Sequence, residues 1–168
     1  MSTAFTPHPI DTDTLKQLRD VDDAGKPCVP FVADEGGSPL RCCLRPIQEG
    51  ERVALVSYAP LRRWAERTGA RPGAYDEQGP VFIHADACDG PEADPDRYPF
   101  DRSGALRTVR RYDSEGRIVG GALLEIPEDA TAGFDAAFTE AFAHPEVAFV
   151  HVRAVEYGCF QFAVDRPA

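Results

Sequence analysis

The sequence lacks long hydrophobic runs, and no stretch approaches the roughly 18 apolar residues that a membrane-spanning helix requires. The segment MSTAFTPHPIDTDT has neither a basic start nor an apolar core, so no signal peptide is expected. Also missing are the patterns GxSxG, Walker A, GxGxxG, HExxH and the EF-hand loop. Their absence argues against the common hydrolase, nucleotide-binding and dinucleotide-binding classes, and no single motif identifies a reaction.

Basic residues are the minority among the charged ones. The chain has 18 Lys and Arg against 28 Asp and Glu, which gives a net charge of −10. An acidic chain repels phosphates at long range, so neither nucleic acid nor an anionic membrane is an expected partner. The 168 residues are 43% hydrophobic and 27% charged, which is typical of one globular domain with its own core.

Cysteine is sparse and odd in number, with five residues at Cys28, Cys42, Cys43, Cys88 and Cys159. An odd count without a CxxC pair or a secretion signal predicts reduced thiols in a cytoplasm. Residues 40–44 are predicted to be extended, and neighbours in a strand point to opposite faces. The adjacent pair Cys42–Cys43 is for that reason a weak indication of a metal site.

Two or three helices are indicated by capping residues and apolar periodicity. Asp11 or Thr12 can cap a short helix that ends near residue 20. Residues 61–67 fit one or two helical turns. The clearest amphipathic helix follows residues 128–131, because three phenylalanines then recur with a spacing of four.

Short apolar or alternating segments bounded by turn residues predict the strands. These segments are residues 29–33, 40–44, 52–58, 81–84, 106–112, 118–126, 147–155 and 159–164. Short connections between them favour antiparallel hairpins, so we predict a single α+β domain with a mainly antiparallel sheet. We expect residues 1–8 to form a loose arm, residues 9–168 the domain, and residues 86–103 a long functional or mobile loop.

The last predicted hairpin carries the most reactive combination of side chains. His151 and Arg153 are two residues apart in a strand and share a face. A three-residue loop with Gly158 left-handed would pair Val155 with Cys159 and place the thiol on that same face, whereas a two-residue loop would not. A thiolate there would be stabilised by its cationic neighbours and act as a nucleophile. The alternative is a solvated strand face with Cys159 in the core.

A second set of possible ligands begins at His84, with Cys88 four residues later. An HxxxC spacing suits a metal only in a helix or a tight turn. Together with Cys43, His151 and Cys159 these residues would make a composite zinc site. The alternative is a hydrogen-bonded histidine at a strand end, and we predict that no residue is a metal ligand and no cofactor is bound.

Arginine dominates the cations, because lysine occurs only at positions 16 and 26. Arginine binds carboxylates through a bidentate fork, so two arginines in a pocket would hold a small acid. The arginines on or beside predicted strands are Arg41, Arg45, Arg107, Arg110, Arg111 and Arg153. Internal ion pairs with the surplus acids are the alternative. Tyr112 precedes a turn and is a further candidate for acid–base work.

Several motifs in a fixed order resemble a known bacterial family. They are Leu40-Arg-Cys-Cys-Leu44, Gly79-Pro-Val-Phe-Ile-His84, Arg111-Tyr-Asp113, His151-Val-Arg153, Gly158-Cys-Phe160 and Arg166. The set resembles the domain of unknown function 1203 over residues 5–166, which implies a small soluble bacterial protein and no particular reaction. That family often reads Cys-Arg-x-Cys-Leu in the first motif. Here Leu40 takes the first cysteine position, which argues against a two-cysteine metal or redox role for it.

These observations favour an enzyme that acts on a small acidic metabolite. The predicted substrate-binding residues are Arg41, Arg153, Arg111 and Cys43, and the predicted catalytic residues are His151, Cys159, His84 and Tyr112. The first alternative is a non-catalytic module that binds a ligand or a protein partner. The second is a structural domain stabilised by zinc. Whether the chain is a monomer or a homodimer stays open.

Overall fold

A computed structural model describes residues 2–168 as three α-helices, one short 3₁₀ helix and seven strands. The helices are α1 (Thr12–Leu18), α2 (Pro60–Thr68) and α3 (Ala130–Phe142). The strands are β1 (Phe31–Val32), β2 (Arg52–Tyr58), β3 (Gly79–His84), β4 (Leu106–Tyr112), β5 (Ile118–Glu125), β6 (Phe149–Ala154) and β7 (Phe160–Asp165). All pairings between these strands are antiparallel, so the predicted α+β class is confirmed.

The strands form two separate sheets. The small sheet has the order β1-β2-β3 and the large sheet the order β5-β4-β6-β7. β1 pairs only with β2, as expected for a proline-flanked edge segment. Asp11 caps α1 by accepting a hydrogen bond from the Thr14 backbone N–H, which confirms that predicted helix start.

The two faces of β6 pack against different layers, which is why all six of its residues are buried. Val150 and Val152 lie in a hydrophobic cluster with Phe134 and Phe138 of α3. The alternate residues face the other way, toward Tyr58 of the small sheet and its neighbours. His151 and Arg153 therefore lie in the interior of the domain. The alternative considered above, a solvated strand face, is wrong for these two residues.

The hairpin between β6 and β7 has neither of the two loop lengths that we considered. Ala154 and Cys159 close a loop of residues 155–158, in which Gly158 is left-handed at a φ of 68°. Arg153 then pairs with Phe160 in the same register, and the register shifts at the next residue, where Val152 pairs with Phe162. The predicted pairing of Val155 with Cys159 is wrong, because the loop holds one residue more.

Residues 40–44 form a turn and not the predicted strand. The Leu44 backbone N–H donates to the Leu40 carbonyl at 3.0 Å, and Leu44 adopts a left-handed φ of 59°. In this turn consecutive side chains are not forced onto opposite faces as they are in a pleated strand, and Cys42 Sγ lies 4.0 Å from Cys43 Sγ. The strand-based argument against joint action of Cys42 and Cys43 is therefore wrong.

The N-terminal segment that we predicted to be a loose arm packs on the domain over its described residues. The Phe5 ring lies 5.6 Å from the Phe138 ring and 5.7 Å from the Phe142 ring. His8 pairs with Ala163 through two backbone hydrogen bonds. Among residues 2–168, no helix combines the length and the apolar character needed to cross a membrane.

Candidate functional site

A cavity of about 230 Å³ lies between the start of β3 and the last hairpin. We call it the hairpin pocket, and the residues that line it include Tyr58, Glu77, Arg153, Tyr157, Cys159 and Phe160. Two of the residues singled out in the sequence, Arg153 and Cys159, thus reach one cavity. The other predicted site residues do not line it.

Arg153 is the buried cation of the hairpin pocket. One guanidinium nitrogen, Nη1, donates to the Gly158 carbonyl at 3.0 Å, and Nη2 donates to Glu77 Oε1 at 3.1 Å. Its Nε is buried without a hydrogen-bond partner. Arg110 Nη1 donates to the same Glu77 oxygen at 2.5 Å. Two guanidiniums therefore share one carboxylate oxygen at the rim of the pocket.

Arg41 has a different role from the predicted one. Its side chain is almost fully buried, and it donates to the carbonyls of Phe160 at 2.7 Å and Pro39 at 2.5 Å. Nη2 donates to Cys159 Sγ at 3.2 Å. Burial lowers the pKa of Arg41, and the negative charge that Cys159 can carry opposes that shift. Because its donors are directed at the chain itself, Arg41 supports the pocket wall and is not available to hold a substrate carboxylate.

His151 is buried in an aromatic layer. Its ring lies 4.7 Å from Tyr112, 5.3 Å from Phe149 and 5.0 Å from Phe160, measured between ring centroids. Nδ1 has no hydrogen-bond partner. Burial, followed by the positive charges of Arg153 and Arg110, holds the pKa of His151 well below its ordinary value. The imidazole is neutral near pH 7.

The predicted cysteine–histidine pair is not formed. His151 lines a second cavity of about 250 Å³ beside Trp64, and Cys159 is absent from that lining. No hydrogen bond joins His151 and Cys159 within residues 2–168. The predicted role of His151 as the proton carrier for Cys159 therefore finds no support in the geometry.

The buried neutral imidazole gives a testable pH dependence. We expect the free energy of unfolding of the wild type to fall relative to His151→Phe as the pH drops below about 6.5, the ordinary histidine pKa. In the unfolded chain His151 takes up a proton that the folded state rejects, so its contribution is present above that pH and is lost below it. The difference should grow by up to about 1.4 kcal/mol per pH unit.

Urea denaturation of both proteins at pH 7.5, 6.5 and 5.5 measures this difference. Titration of His84 and of the carboxylates is common to both proteins and cancels in the comparison. Parallel stability profiles would show that His151 accepts a proton in the folded state, contrary to its desolvated position.

Arg111 and Tyr112 lie outside the hairpin pocket. Arg111 points toward α3, where Nη2 lies 3.5 Å from Glu140 Oε1. Tyr112 is fully buried and stacks on Phe149 with the ring centroids 5.0 Å apart. Its hydroxyl accepts a hydrogen bond from Arg110 Nη1 at 3.5 Å. Arg110, and not Arg111, is therefore the arginine of this strand that contacts Glu77 at the pocket.

Sequence reasoning missed Glu77 altogether. It named Arg110 among the arginines of the strands but did not predict its contact with Glu77. Arg110 lies directly opposite His151 in the β4–β6 pairing and so shares its face. Correct pairing of these two strands would have separated Arg110 from Arg111, because adjacent residues alternate between faces. Nothing in the sequence marks Glu77, which belongs to the loop before β3.

His84 and Cys43 lie together at the other end of β3, with Cys42 and Cys88 beside them. Burial lowers the pKa of His84, but hydrogen bonds to Glu51 and Cys88 outweigh it, and the net shift is upward. The hydrogen bond from Cys42 lowers the pKa of Cys43. This group contains no residue of the hairpin pocket, so the predicted site residues divide between two places.

Comparison with known proteins adds a family but no activity. A family model described as a protein of unknown function (DUF1203) matches residues 37–166 of the 168. Neither the curated proteins nor the solved structures contain a significant match.

Proposed function

Since this chain belongs to the DUF1203 family of unknown function, we propose its role from the hairpin pocket: it binds a small molecule that carries a carboxylate. In the same proposal Cys159 is the reactive side chain of the site. The observation that carries the proposal is the convergence of Arg110 and Arg153 on one carboxylate oxygen beside that thiol.

The local charge supports an anionic ligand. Arg110 and Arg153 share the single carboxylate of Glu77, so one positive charge is left uncompensated. Arg41, behind Cys159, has no carboxylate within 4.0 Å in the described part of the chain. Charges near a partly buried cavity are weakly screened, so this excess attracts an anion although the whole protein is strongly acidic.

Glu77 shows that the geometry fits a carboxylate. Its side chain is 46% exposed and comes from the loop between the 3₁₀ helix (Gly73–Tyr75) and β3. An incoming carboxylate can take the place of this internal one on the Arg153 guanidinium. The pocket is smaller than the roughly 300–1,000 Å³ of drug-sized sites, so the ligand is a small metabolite.

Iodoacetate is a direct probe, because it carries a carboxylate and alkylates a thiol. The sulfur displaces iodide, and a carboxymethyl thioether results. We expect iodoacetate to modify Cys159 faster than neutral iodoacetamide does, with the preference lost in Arg153→Gln. Peptide mass spectrometry after timed quenching measures the two rates separately at each cysteine.

Cys28 is the internal control in the same molecule, because it is half-buried and lies outside the hairpin pocket. Its relative rates with the two reagents should not respond to Arg153→Gln. A Cys159 that reacts equally with both reagents, or whose preference survives Arg153→Gln, would contradict a carboxylate site at Arg153.

A binding role without catalysis is the second candidate. It is favoured by one observation: within residues 2–168 no imidazole or carboxylate hydrogen-bonds to Cys159, so a general base is missing. Cys159→Ser separates the two roles, since binding of a small carboxylate then persists while any turnover is lost. The free thiols fit a reducing compartment, so we place the protein in a bacterial cytoplasm as part of this proposal.

A further inference from the structure

Four side chains with metal-binding atoms converge where β3 ends. Cys42, Cys43, His84 and Cys88 each offer one atom, and these atoms all lie within 4.8 Å of one another. Among residues 2–168 this is the one group of its kind. We call it the thiol cluster, and we propose that it is a zinc site with all four residues as ligands.

The distances match a tetrahedral ion. The Nδ1 atom of His84 lies 3.4 Å from Cys42 Sγ and 3.8 Å from Cys43 Sγ, and the two sulfurs are 4.0 Å apart. Zinc bonds of ordinary length with tetrahedral angles require about 3.8 Å between two sulfurs and about 3.6 Å between sulfur and nitrogen. These three ligand atoms are therefore spaced about as a zinc ion requires, and Cys88 Sγ lies within 4.8 Å of each of them.

The local backbone explains why adjacent cysteines act together. The turn of residues 40–44 ends at Leu44, whose left-handed conformation is uncommon for a branched residue. It aims both sulfurs at the end of β3. After His84 the chain bends at residues 85–86 and returns Cys88 to the same place. A strained turn beside four convergent ligands indicates a functional constraint.

The surrounding hydrogen bonds prepare the donors for a metal. Glu51 hydrogen-bonds to Nε2 of His84, which leaves Nδ1 directed at the sulfurs as a ligand. The backbone N–H of His84 donates to Cys42 Sγ at 3.2 Å. The guanidinium of Arg45 lies beside Cys43 as a further donor for a thiolate. Such donors stabilise coordinated thiolates.

Charge and ligand type favour zinc. Three thiolates and a neutral imidazole around one Zn²⁺ leave a single negative charge, which the Arg45 guanidinium beside Cys43 offsets. Thiolate with imidazole is a preferred ligand set of zinc, and four protein ligands make a closed structural site without an open position. In this proposal the ligand set replaces both the composite set considered above, which included His151 and Cys159, and the expectation of no metal ligand.

The ion would join three segments that are distant in sequence. They are the turn of residues 40–44, the end of β3, and the start of the loop of residues 86–103. Arg41 belongs to that turn and donates to Cys159. The zinc site thereby steadies one wall of the hairpin pocket, although its existence does not depend on the ligand proposed there.

Native mass spectrometry and elemental analysis of the purified full chain test the proposal. We expect one zinc per chain, removable by a chelator, with a large fall in the melting temperature on removal. Replacement by Co²⁺ should give the near-ultraviolet charge-transfer absorption of metal thiolates. Cys88→Ser should bind zinc at least 10-fold more weakly, and Glu51→Gln about 10–100-fold more weakly as a residue that positions His84.

Cys28→Ser is the matched control, because it removes a half-buried thiol outside the thiol cluster and should leave zinc affinity unchanged. Circular dichroism of each variant with and without zinc separates lost binding from lost folding. The proposal is overturned if reduced protein supplied with zinc stays metal-free, if it carries iron instead, or if Cys88→Ser binds zinc as the wild type does.

Discussion

Arg41→Ala should lower the free energy of unfolding by about 3–5 kcal/mol. The truncation removes the Arg41 donors from the buried Phe160 carbonyl and the part-buried Pro39 carbonyl, and a buried unsatisfied group costs about 1–3 kcal/mol. It also opens a cavity in place of one of the largest fully buried side chains. Urea denaturation at pH 7.5 measures the loss.

Arg41→Lys is the matched variant. Lysine keeps the charge but lacks the planar fork, so it cannot reach both carbonyls and Cys159 at once. We expect it to recover less than half of the stability lost in the alanine variant. An Arg41→Ala protein within 1 kcal/mol of the wild type would show that the buried fork contributes little, and a direct role at the pocket would become the better explanation for this residue.

Asp23→Ala is expected to cost a similar amount, about 3–5 kcal/mol, because it removes the buried counter-ion of Arg63 and leaves only the exposed Glu66 carboxylate, 3.4 Å away, beside the guanidinium. The pair is close, with Arg63 Nη2 2.6 Å from Asp23 Oδ1 and side-chain exposures of 9% and 5%. Asp23 Oδ2 also accepts from the backbone N–H of Ala59, where α2 begins without a cap from its own side chain. Thermal and urea unfolding report the combined loss.

A double variant identifies the cause. Asp23→Ala combined with Arg63→Met removes both charges and keeps an apolar stem in the helix, so it should be more stable than Asp23→Ala alone. If the two substitutions instead add within about 0.5 kcal/mol, the two residues are not energetically coupled. The loss in Asp23→Ala would then belong to the missing cap of α2.

The sequence alone predicted those elements whose conformation is set by interactions between residues close together in the chain. Asp11 caps α1 through its own side chain, and the phenylalanine spacing defines the buried face of α3. Gly116, left-handed at a φ of 80°, permits the turn between β4 and β5. In each case the decisive interaction lies within a few residues, so local propensity and the final structure agree.

The sequence predicted only some of the residues of each candidate site. Arg153 and Cys159 flank one hairpin and line the same cavity, although the predicted pairing of Val155 with Cys159 is wrong. Glu77 and Cys42 were missed as site residues, because their roles depend on contacts with segments that are distant along the chain. His84 and Cys88 were recognised as potential ligands, but their partners in the thiol cluster come from a turn about 40 residues earlier, which sequence spacing does not reveal.

The sequence by itself determined the class of the fold, the cap of α1, the net negative charge and the stock of arginines and thiols. The tertiary structure alone decided which of these groups meet. A one-residue change of loop length decides which face of a strand a side chain occupies, and a turn in place of a strand aligns neighbouring cysteines. Residues 40–44 and 155–158 show both effects, since packing against β3 and β6 fixes their geometry and with it the two sites.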